Sequence, residues 1–239
     1  MIKYIINLFR KPKVWFTSDL HFGHRNVMTY CNRPWKDIDE MTQGIIKIWN
    51  STVKEGDTVY VLGDFSLNPK WSSTIVPLLK GNKILIPGNH DSCYEFPPKE
   101  INEKTVRESR EKYRRRRERY IQDGWQFIHQ TLTIRLKDGT HVLLSHLPYA
   151  PKEGENFDRR YLSLRPKDEG LILLHGHLHC KYRKNGRMID VGIDGNLCLW
   201  SEDQIITLIK DSREFIETPI TEWYKTRVDD RKNMKGEGI

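Results

Sequence analysis

Three short apolar runs in the first part of the chain predict buried strands, because each is rich in β-branched or aromatic side chains and is followed by turn-forming residues. The runs cover residues 14–18, 58–62 and 83–87. Apolar residues at helical spacing predict a helix over 41–49 with Asp39 as its cap, and a short helix is predicted over 75–79. Strands that alternate with helices are typical of an α/β sheet.

The second half of the chain predicts further strands after one long charged helix. The expected elements are that helix over 100–120, a hairpin of 127–136 and 140–144 around Lys137-Asp138-Gly139, a buried strand over 171–174 and a hairpin turn at 184–187. With no repeat or linker to divide the chain, we expect a single domain over 1–211, with a basic helical insertion at about 99–121. The polar residues 212–239 are expected to form a peripheral C-terminal segment with a helix and a loose end.

Composition and charge narrow the class of protein. Hydrophobic side chains make up 37% of the 239 residues, enough for the core of a sizeable domain, and the formal net charge is +8 with a pI of about 9.2. A basic balance favours anionic partners such as phosphates, nucleotides or nucleic acid. Four cysteines without a C-x-x-C pair indicate reduced thiols in a cytoplasmic protein. The apolar N-terminal run is too short to span a membrane, although it could touch a membrane surface or a partner.

Potential metal ligands follow five of the predicted strands directly. They are Asp19 with His21, Asp64, Asn89 with His90, His146, and His177 with His179. A single His or Asp after a strand is usually a turn former, but five such strand ends are hard to explain in that way. Open α/β sheets place their sites at the carboxyl ends of strands, and His and carboxylate ligands suit Mn, Fe, Zn or Ni. Because these ligands exceed the needs of one ion, we expect two divalent transition-metal ions that share a carboxylate.

The same residues carry a resemblance to a known family. The series Asp19-Leu20-His21, Gly63-Asp64, Gly88-Asn89-His90-Asp91, Ser145-His146 and Gly176-His177-Leu178-His179 resembles the calcineurin-like metallophosphoesterases. One departure is Ser145, where many members have glycine. The stretch 22–26 is similar to small bacterial and phage members. The resemblance implies a four-layer α/β/β/α sandwich of two mixed sheets, with the metals at one rim.

The resemblance also implies a role for each residue. Asp19, His21 and His179 would hold one metal and Asn89, His146 and His177 the other, with Asp64 as the bridge. A metal-bridging hydroxide would attack phosphorus, His90 would be the general acid, and Asp91 would orient His90. Asp190 and Asp194 lie where members often have an Asn or Asp that supports the site, and neither is expected as a ligand.

Substrate recognition is predicted less directly. We expect a phosphomonoester or phosphodiester, with a nucleotide or nucleic-acid fragment as the substrate class. The loop residues His24, Arg25, Asn26 and Arg33 are expected to contact it, the alternative being an ordinary polar loop. The basic stretch 107–119 is either a solvated helix face or a lid that collects anionic polymer. Two other functions stay open. One is a nuclease or nuclease subunit, and the other is a non-catalytic scaffold of the same fold. The intact set of expected ligands argues against the scaffold.

Overall fold

The computed structural model describes residues 10–151 and 161–216, which form two β-sheets with helices packed around them. The strands are β1 Val14–Thr17, β2 Thr58–Val61, β3 Asn82–Leu85, β4 Phe127–Ile128, β5 Leu132–Arg135, β6 His141–Leu144, β7 Ile172–His175, β8 Lys184–Asn185, β9 Met188–Asp190, β10 Trp200–Ser201 and β11 Phe215–Ile216. The α-helices are α1 Arg25–Tyr30, α2 Ile38–Thr52, α3 Pro69–Ile75, α4 Glu103–Gln122 and α5 Glu202–Lys210. Short 3-10 turns cover Val76–Leu78, Leu162–Leu164 and Ile193–Gly195.

The first sheet has the strand order β10-β1-β2-β3-β4, and all its pairs are parallel except β10 with β1. Side chains alternate between its two faces. Val59 and Val61 point into a buried cluster with α2, α3 and α4, whereas Phe16 and Leu62 belong to a cluster shared with the second sheet. The first sheet is therefore covered by helices on one face and by the other sheet on the opposite face.

The second sheet has the order β11-β8-β9-β7-β6-β5 and mixes parallel with antiparallel pairs. Its inward-facing residues Val142, Leu144, Leu174 and Ile189 are fully buried against the first sheet. The expected α/β fold of two mixed sheets is thus confirmed. A parallel bridge between Ser18 and Gly192 joins the ends of β1 and β9, so the sheets meet at one rim.

Two predicted helices begin earlier than expected. α2 is capped by Asp37, whose side chain accepts a hydrogen bond from Glu40 N at 2.8 Å, and the expected cap Asp39 lies in its first turn. The short helix expected over 75–79 is α3, which begins at Pro69 after the cap Asn68 and tightens into the turn Val76–Leu78. The cap Asp37 sets the start of α2, and the cap Asn68 with Pro69 in the first turn sets the start of α3. Apolar spacing alone does not show either start.

The strand expected over 127–136 is wrong as a single element. Phe127–Ile128 pairs in parallel with β3 in the first sheet, and Leu132–Arg135 pairs with β6 in the second. The chain therefore crosses between the sheets at 129–131. The hairpin turn at 137–139 is confirmed, since β5 and β6 are antiparallel on either side of it.

Near the C-terminus, Phe215–Ile216 adds β11 to the second sheet, so the sheet continues past the boundary expected at residue 211. The helix and loose end expected after it fall on 217–239, outside the described residues, as does the N-terminal run 1–9.

The long charged helix is α4, and it begins at a capping box of Asn102 and Thr105. Tyr113 and Tyr120, seven residues apart, form its buried side. Arg116 donates a hydrogen bond to Ser92 O at 2.7 Å and Arg117 pairs with Glu95 at 2.8 Å. α4 is therefore fixed beside the loop that follows β3. None of the described helices is long and apolar enough to cross a membrane.

Candidate metal centre

All seven expected ligands lie together at the rim where the two sheets meet. They follow the carboxyl ends of β1, β2 and β3 in the first sheet and of β6 and β7 in the second. Within each sheet these strands are parallel neighbours, so the loops after them lie side by side. The topology thus turns five separate sequence motifs into one cluster.

The backbone is left-handed at five of the seven expected ligands. The φ angles are 58° at Asp19, 53° at His21, 51° at Asp64, 71° at His177 and 51° at His179. This conformation costs roughly 1–3 kcal/mol at a residue with a side chain, and it clusters at functional sites. Hydrogen bonds between the loops hold it in place, including Asp19 N to Gly63 O at 3.0 Å and His21 N to Asp64 O at 2.9 Å.

Asp64 lies at the centre of the cluster. Its Oδ2 is 3.4 Å from Nε2 of His146, 3.6 Å from Nε2 of His21 and 3.9 Å from Nε2 of His90. Its Oδ1 accepts a hydrogen bond from His90 N at 2.9 Å, which fixes the carboxylate. Burial alone would raise the pKa of Asp64, but the attraction of His146 and His21 lowers it well below its usual range. Asp64 is therefore a permanent anion among imidazoles.

Asp19, His21 and His179 form one ligand group, with a ligand atom of each within 4.8 Å of the others. The Asp19 carboxylate is held by Ser18 Oγ at 2.6 Å and by His177 N at 3.1 Å. His21 Nε2 is buried without a hydrogen-bond partner, and burial lowers the pKa of this imidazole well below its usual range. A buried, neutral imidazole nitrogen with no partner is ready to bind a metal.

His146 is the centre of the other group. It shares a 4.8 Å cluster with Asp19 and Asp64, and Asn89 Oδ1 lies 3.2 Å from its Nε2. Its Nδ1 donates to Leu62 O at 2.9 Å, which directs Nε2 toward Asp64. The ring of His177 is 5.2 Å from the ring of His146. Burial opposes protonation of His146, but Asp64 and Asp19 raise its pKa to about 9.

Glycine is required where two of the loops touch. A Cβ on Gly88 would lie 2.1 Å from Asp64 Oδ1, and one on Gly63 would lie 2.5 Å from Gly88 N. Gly63 also has a φ of 84°, which favours glycine. The Gly63-Asp64 and Gly88-Asn89 motifs thus need their glycines so that the β2 and β3 loops can bring their ligands together.

Arg33 was expected to contact substrate, and the structure contradicts this. Its side chain is fully buried, and its guanidinium donates to Asp194 Oδ1 at 2.7 Å, to Leu20 O at 2.8 Å and to Asp19 O. Arg33 therefore holds the backbone of the first motif from behind, because every one of these contacts points into the protein.

Asp194 and Cys31 are neighbours of the centre that sequence reasoning did not assign. Asp194 Oδ2 accepts from His179 Nδ1 at 2.8 Å, and Cys31 Sγ lies 3.1 Å from the same nitrogen. Asp194 was noted only as a residue near a supporting position, and no local signal marks Cys31, which is 148 positions from His179. Burial opposes protonation of His179, but Asp19 and Asp194 raise its pKa to about 12.

Asp91 was expected to orient His90, and this is also wrong. Its Oδ2 accepts from Gly88 N at 2.9 Å, and its Oδ1 accepts from Phe65 N at 3.1 Å and Ser66 N at 3.3 Å. The buried carboxylate thus joins the β2 loop to the β3 loop through backbone N–H groups. Burial, with the nearby charge of Asp64, raises its pKa to about 7.

His90 is the exposed imidazole of the centre, with 41% of its side chain accessible to solvent. Its ring lies 5.4 Å from that of His21 and 6.1 Å from that of His24. His24 is the residue before α1, and its Nδ1 is 3.4 Å from His21 Nδ1. Arg25 and Asn26 are exposed in the first turn of α1. The exposed side of the centre, around His90 and His24, is called its mouth below. Three of the four residues expected to contact substrate therefore lie at or beside it.

The donor set fits divalent metal ions. It combines two buried carboxylates, an amide oxygen and four imidazoles, one of which has a buried nitrogen without a partner in the protein. Imidazole and carboxylate ligands without thiolates suit transition metals such as Zn, Mn, Fe and Ni. The fold and this donor set define an α/β protein with a candidate transition-metal centre.

Comparison with known proteins places the chain in a family. Calcineurin-like phosphoesterases match residues 12–181, and the chain belongs to this family. Members of the family hydrolyse phosphoesters and bind divalent metals.

Individual relatives show that the chain is a small, phage-type member. The gene 66 protein of Mycobacterium phage L5 is 32% identical over 221 residues, which cover 84% of this chain and 95% of that protein. The gene 66 protein of Mycobacterium phage D29 is 34% identical over 216 residues, which cover 84% and 98%. AQ665 from Aquifex aeolicus, a protein of unknown function with a crystal structure, shares the fold with a TM-score of 0.57 and 23% identity, covering 83% of this chain and 100% of that one.

Proposed function

We propose that this protein is a dinuclear metal-dependent hydrolase of phosphomonoesters or phosphodiesters. The observation that carries the proposal is the position of Asp64. Its Oδ2 lies within 3.4 to 3.9 Å of three imidazole nitrogens that come from three different loops. A carboxylate in that position is suited to serve two ions at once.

The chain's own residues divide between the two ions. Asp19, His21 and His179 would hold one, Asn89, His146 and His177 would hold the other, and Asp64 would be shared. When bound, the two cations would neutralise the charge of the phosphoryl group and lower the pKa of a bound water from ~15.7 toward ~7. The inward hydrogen bonds of His146 and His179 would keep their other ring nitrogens directed at the ions.

His90 would handle the proton of the leaving group. It is the most solvent-accessible imidazole beside Asp64, and its backbone N–H is fixed by the Asp64 carboxylate at 2.9 Å. An imidazole in this position would reach a substrate bound at the mouth, whereas the buried histidines would be bound to the metal ions. General acid catalysis by such a group contributes about 10²–10⁴-fold.

The test uses the intact protein, stripped of metal by chelation and reloaded with Mn, Ni or Zn. Turnover of p-nitrophenyl phosphate or of bis(p-nitrophenyl) phosphate is expected to depend on the added metal. Metal content, measured on the same samples, is expected to approach two ions per chain. If a chain with two bound ions turned over neither ester, the proposed hydrolase activity would be wrong and a non-catalytic scaffold of the same fold would be favoured.

Nucleotides or nucleic-acid fragments are the substrate class that the charge of the protein favours. The net charge is +8, and Arg25 is exposed beside His24 at the mouth of the centre. A cationic protein attracts polyanions and speeds their association. We propose the cytoplasm as the compartment in which it acts, as expected for a chain whose four cysteines are all free thiols.

A second candidate is a nuclease that gathers polymeric DNA or RNA with the basic face of α4. Ion pairs already compensate part of this charge, since Arg114 and Arg115 pair with Glu111 and Arg117 with Glu95. Arg107 and Arg110 line a groove along the same helix and are the better test.

If α4 binds polymer, R107Q with R110Q will weaken binding of single-stranded DNA. The slope of log affinity against log salt concentration will become shallower by about 1.4, because each of the two lost phosphate contacts contributes about 0.7. Lys47 on α2 gives the matched control, because K47Q removes an exposed helical charge elsewhere. Equal binding by the double variant and K47Q would leave α4 as a solvated helix.

A further inference from the structure

A series of aromatic rings crosses the candidate metal centre from one side to the other. On the first side, Tyr30 at the end of α1 is 74% exposed, and its ring centroid lies 6.4 Å from that of His24. The ring of His24 is in turn 6.1 Å from that of His90 and 5.3 Å from that of His21. An exposed tyrosine thus lies directly next to the partly exposed imidazoles at the mouth.

The second side of the centre is also aromatic. Tyr161 lies 5.8 Å from the ring of His177, in an edge-to-face arrangement of 69°. Phe96 continues the series at 6.1 Å from Tyr161, and the buried Tyr94 follows at 4.8 Å. Phe96 is anchored to α4, because its backbone N–H donates to the Tyr113 hydroxyl at 3.1 Å. The backbone of Phe96 is therefore fixed beside α4.

The two aromatic sides belong to different halves of the centre. Tyr30 reaches it through His24 and His21, next to the group of Asp19 and His179. Tyr161 reaches it through His177, next to the group of His146 and Asn89. Asp64 lies between them, with its Oδ2 within 3.6 Å of both His21 and His146. A phosphoryl group beside Asp64 would therefore have a ring on each side, the exposed Tyr30 and the partly exposed Tyr161.

Aromatic side chains that flank a phosphate site match the chemistry of a nucleic-acid strand. Each nucleobase has a flat face that stacks on tyrosine or phenylalanine whatever the base, while the phosphate between two nucleosides carries the charge. A base within a duplex is already stacked on its neighbours and hidden from such rings. A phosphomonoester of one nucleoside would leave one of the two sides unused.

We propose that the centre acts on an internucleoside phosphodiester of single-stranded nucleic acid, with Tyr30 stacking against the base on one side of the scissile phosphate and Tyr161 against the base on the other. This inference rests on the proposed hydrolase function and names its substrate class. Arg25, exposed beside His24, is placed to pair with an adjacent phosphate.

The experiment compares two diesters on the metal-loaded protein. A dithymidine phosphodiester carries a base on each side, and methyl p-nitrophenyl phosphate carries one aromatic arm only. The variants are Y30L and Y161L, with Y30F and Y161F as versions that keep the ring. F127L is the matched control, since Phe127 is also an exposed ring, at 57%, but lies on the edge strand β4.

Each leucine variant is expected to lower kcat/KM for the dithymidine diester by about 5- to 150-fold, the range of one stacked base. The loss of kcat/KM in each leucine variant is expected to be several-fold smaller with methyl p-nitrophenyl phosphate. The phenylalanine variants are expected to keep most of the activity. F127L is expected to match the wild type on both substrates. Equal losses on the two diesters, or wild-type kcat/KM for the dithymidine diester in Y30L and Y161L, would overturn the inference while leaving the hydrolase intact.

A binding measurement separates the two proposals. Fluorescence anisotropy of a labelled oligothymidine is recorded with the same metal-loaded variants. If no diester is hydrolysed but both leucine variants bind the oligonucleotide more weakly than F127L does, the hydrolase fails and the stacking surface stands. If binding by both equals that of F127L, the stacking surface is wrong.

Discussion

Asp194 holds His179 by a 2.8 Å hydrogen bond from the imidazole Nδ1 to the carboxylate Oδ2. Arg33 donates to the other carboxylate oxygen at 2.7 Å and also to the carbonyl of Leu20 at 2.8 Å. One buried ion pair therefore links the last ligand motif to the first. A carboxylate behind a metal-binding imidazole fixes the ring and strengthens it as a ligand.

Replacing Asp194 tests this link directly. D194N is expected to lower metal affinity about 10–100-fold, because His179 loses the charged partner that directs its other nitrogen into the centre. Affinity is measured by competition with a chelator that reports free metal. D138N, at an exposed hairpin turn, is the control that removes a carboxylate elsewhere. Unchanged affinity in D194N would mean that His179 needs no such partner.

The central position of Asp64 leads to a stronger prediction. D64N is expected to abolish phosphoesterase activity and to lower the content of both metals, because one carboxylate would serve both ions. Elemental analysis of the purified variant gives the stoichiometry, and turnover of bis(p-nitrophenyl) phosphate gives the activity. Asp57 precedes the same strand, β2, at its opposite end, so D57N removes a buried carboxylate without touching the centre. Near-normal turnover by D64N would show that Asp64 is not shared.

The clustering of the seven candidate ligands could be predicted from sequence because its signal is local. Each ligand follows an apolar strand, and parallel strands bring their carboxyl ends to one edge without any further information. The glycines of Gly63-Asp64 and Gly88-Asn89 belong to the same local signal. Sheet topology then assembled what the motifs had already identified.

The contacts that support the candidate ligands could not be predicted, because the partners are distant in sequence. Arg33 and Asp194 are 161 positions apart, and an arginine in a loop after a motif looks the same whether it points inward or outward. The prediction that Asp91 orients His90 failed for a related reason. Its place after His90 suggested that it orients this residue, whereas its carboxylate folds back onto backbone N–H groups of the β2 loop. The run 127–136 was predicted as one strand because a two-residue period does not show which sheet a strand joins.

His90 is expected to affect the rate of hydrolysis and not the binding of metal. H90A removes the exposed imidazole beside Asp64, so activity is expected to fall by about 10²–10⁴-fold, while two ions per chain stay bound. Metal content and single-turnover rates are measured on the same preparation. H129A, which removes a histidine outside the centre, is expected to keep the wild-type rate. Loss of metal in H90A would make His90 a ligand.

Gly88 is the tightest point between the two central loops. An alanine there would place its Cβ 2.1 Å from Asp64 Oδ1, so the carboxylate must move away from the imidazoles around it. G88A is expected to lose metal and activity together. G44A is crowded in a similar way, with its Cβ 2.2 Å from the Trp35 side chain, but lies on α2. It is therefore expected to lower the free energy of unfolding and to keep the metal content, and metal loss in both variants would point to general unfolding.

Asp57 links the residues before β1 to the start of β2, and its charge predicts how stability changes with pH. The buried carboxylate accepts hydrogen bonds from Lys13 N at 2.7 Å, Lys54 N at 3.0 Å and Arg10 at 2.6 Å. Burial alone would raise its pKa, but these donors lower it below its usual range. Hydrogen bonds to a charged group contribute about 1.5–3 kcal/mol, so D57N is expected to lower the free energy of unfolding by roughly that amount at pH 7.

The sign of the pH dependence follows from the lowered pKa. In the unfolded chain Asp57 titrates near its ordinary value of about 3.9, so the extra stability of the wild type is complete above that pH. It is lost as the pH falls through the lower pKa of the folded protein, where the carboxylate becomes protonated in both states. Urea unfolding of wild type and D57N between pH 7 and pH 2.5 is therefore expected to give midpoints that are far apart at neutral pH and converge in acid. A gap of constant size across that range would show that the contribution of Asp57 comes from shape and packing, because only a charge-dependent contribution disappears on protonation.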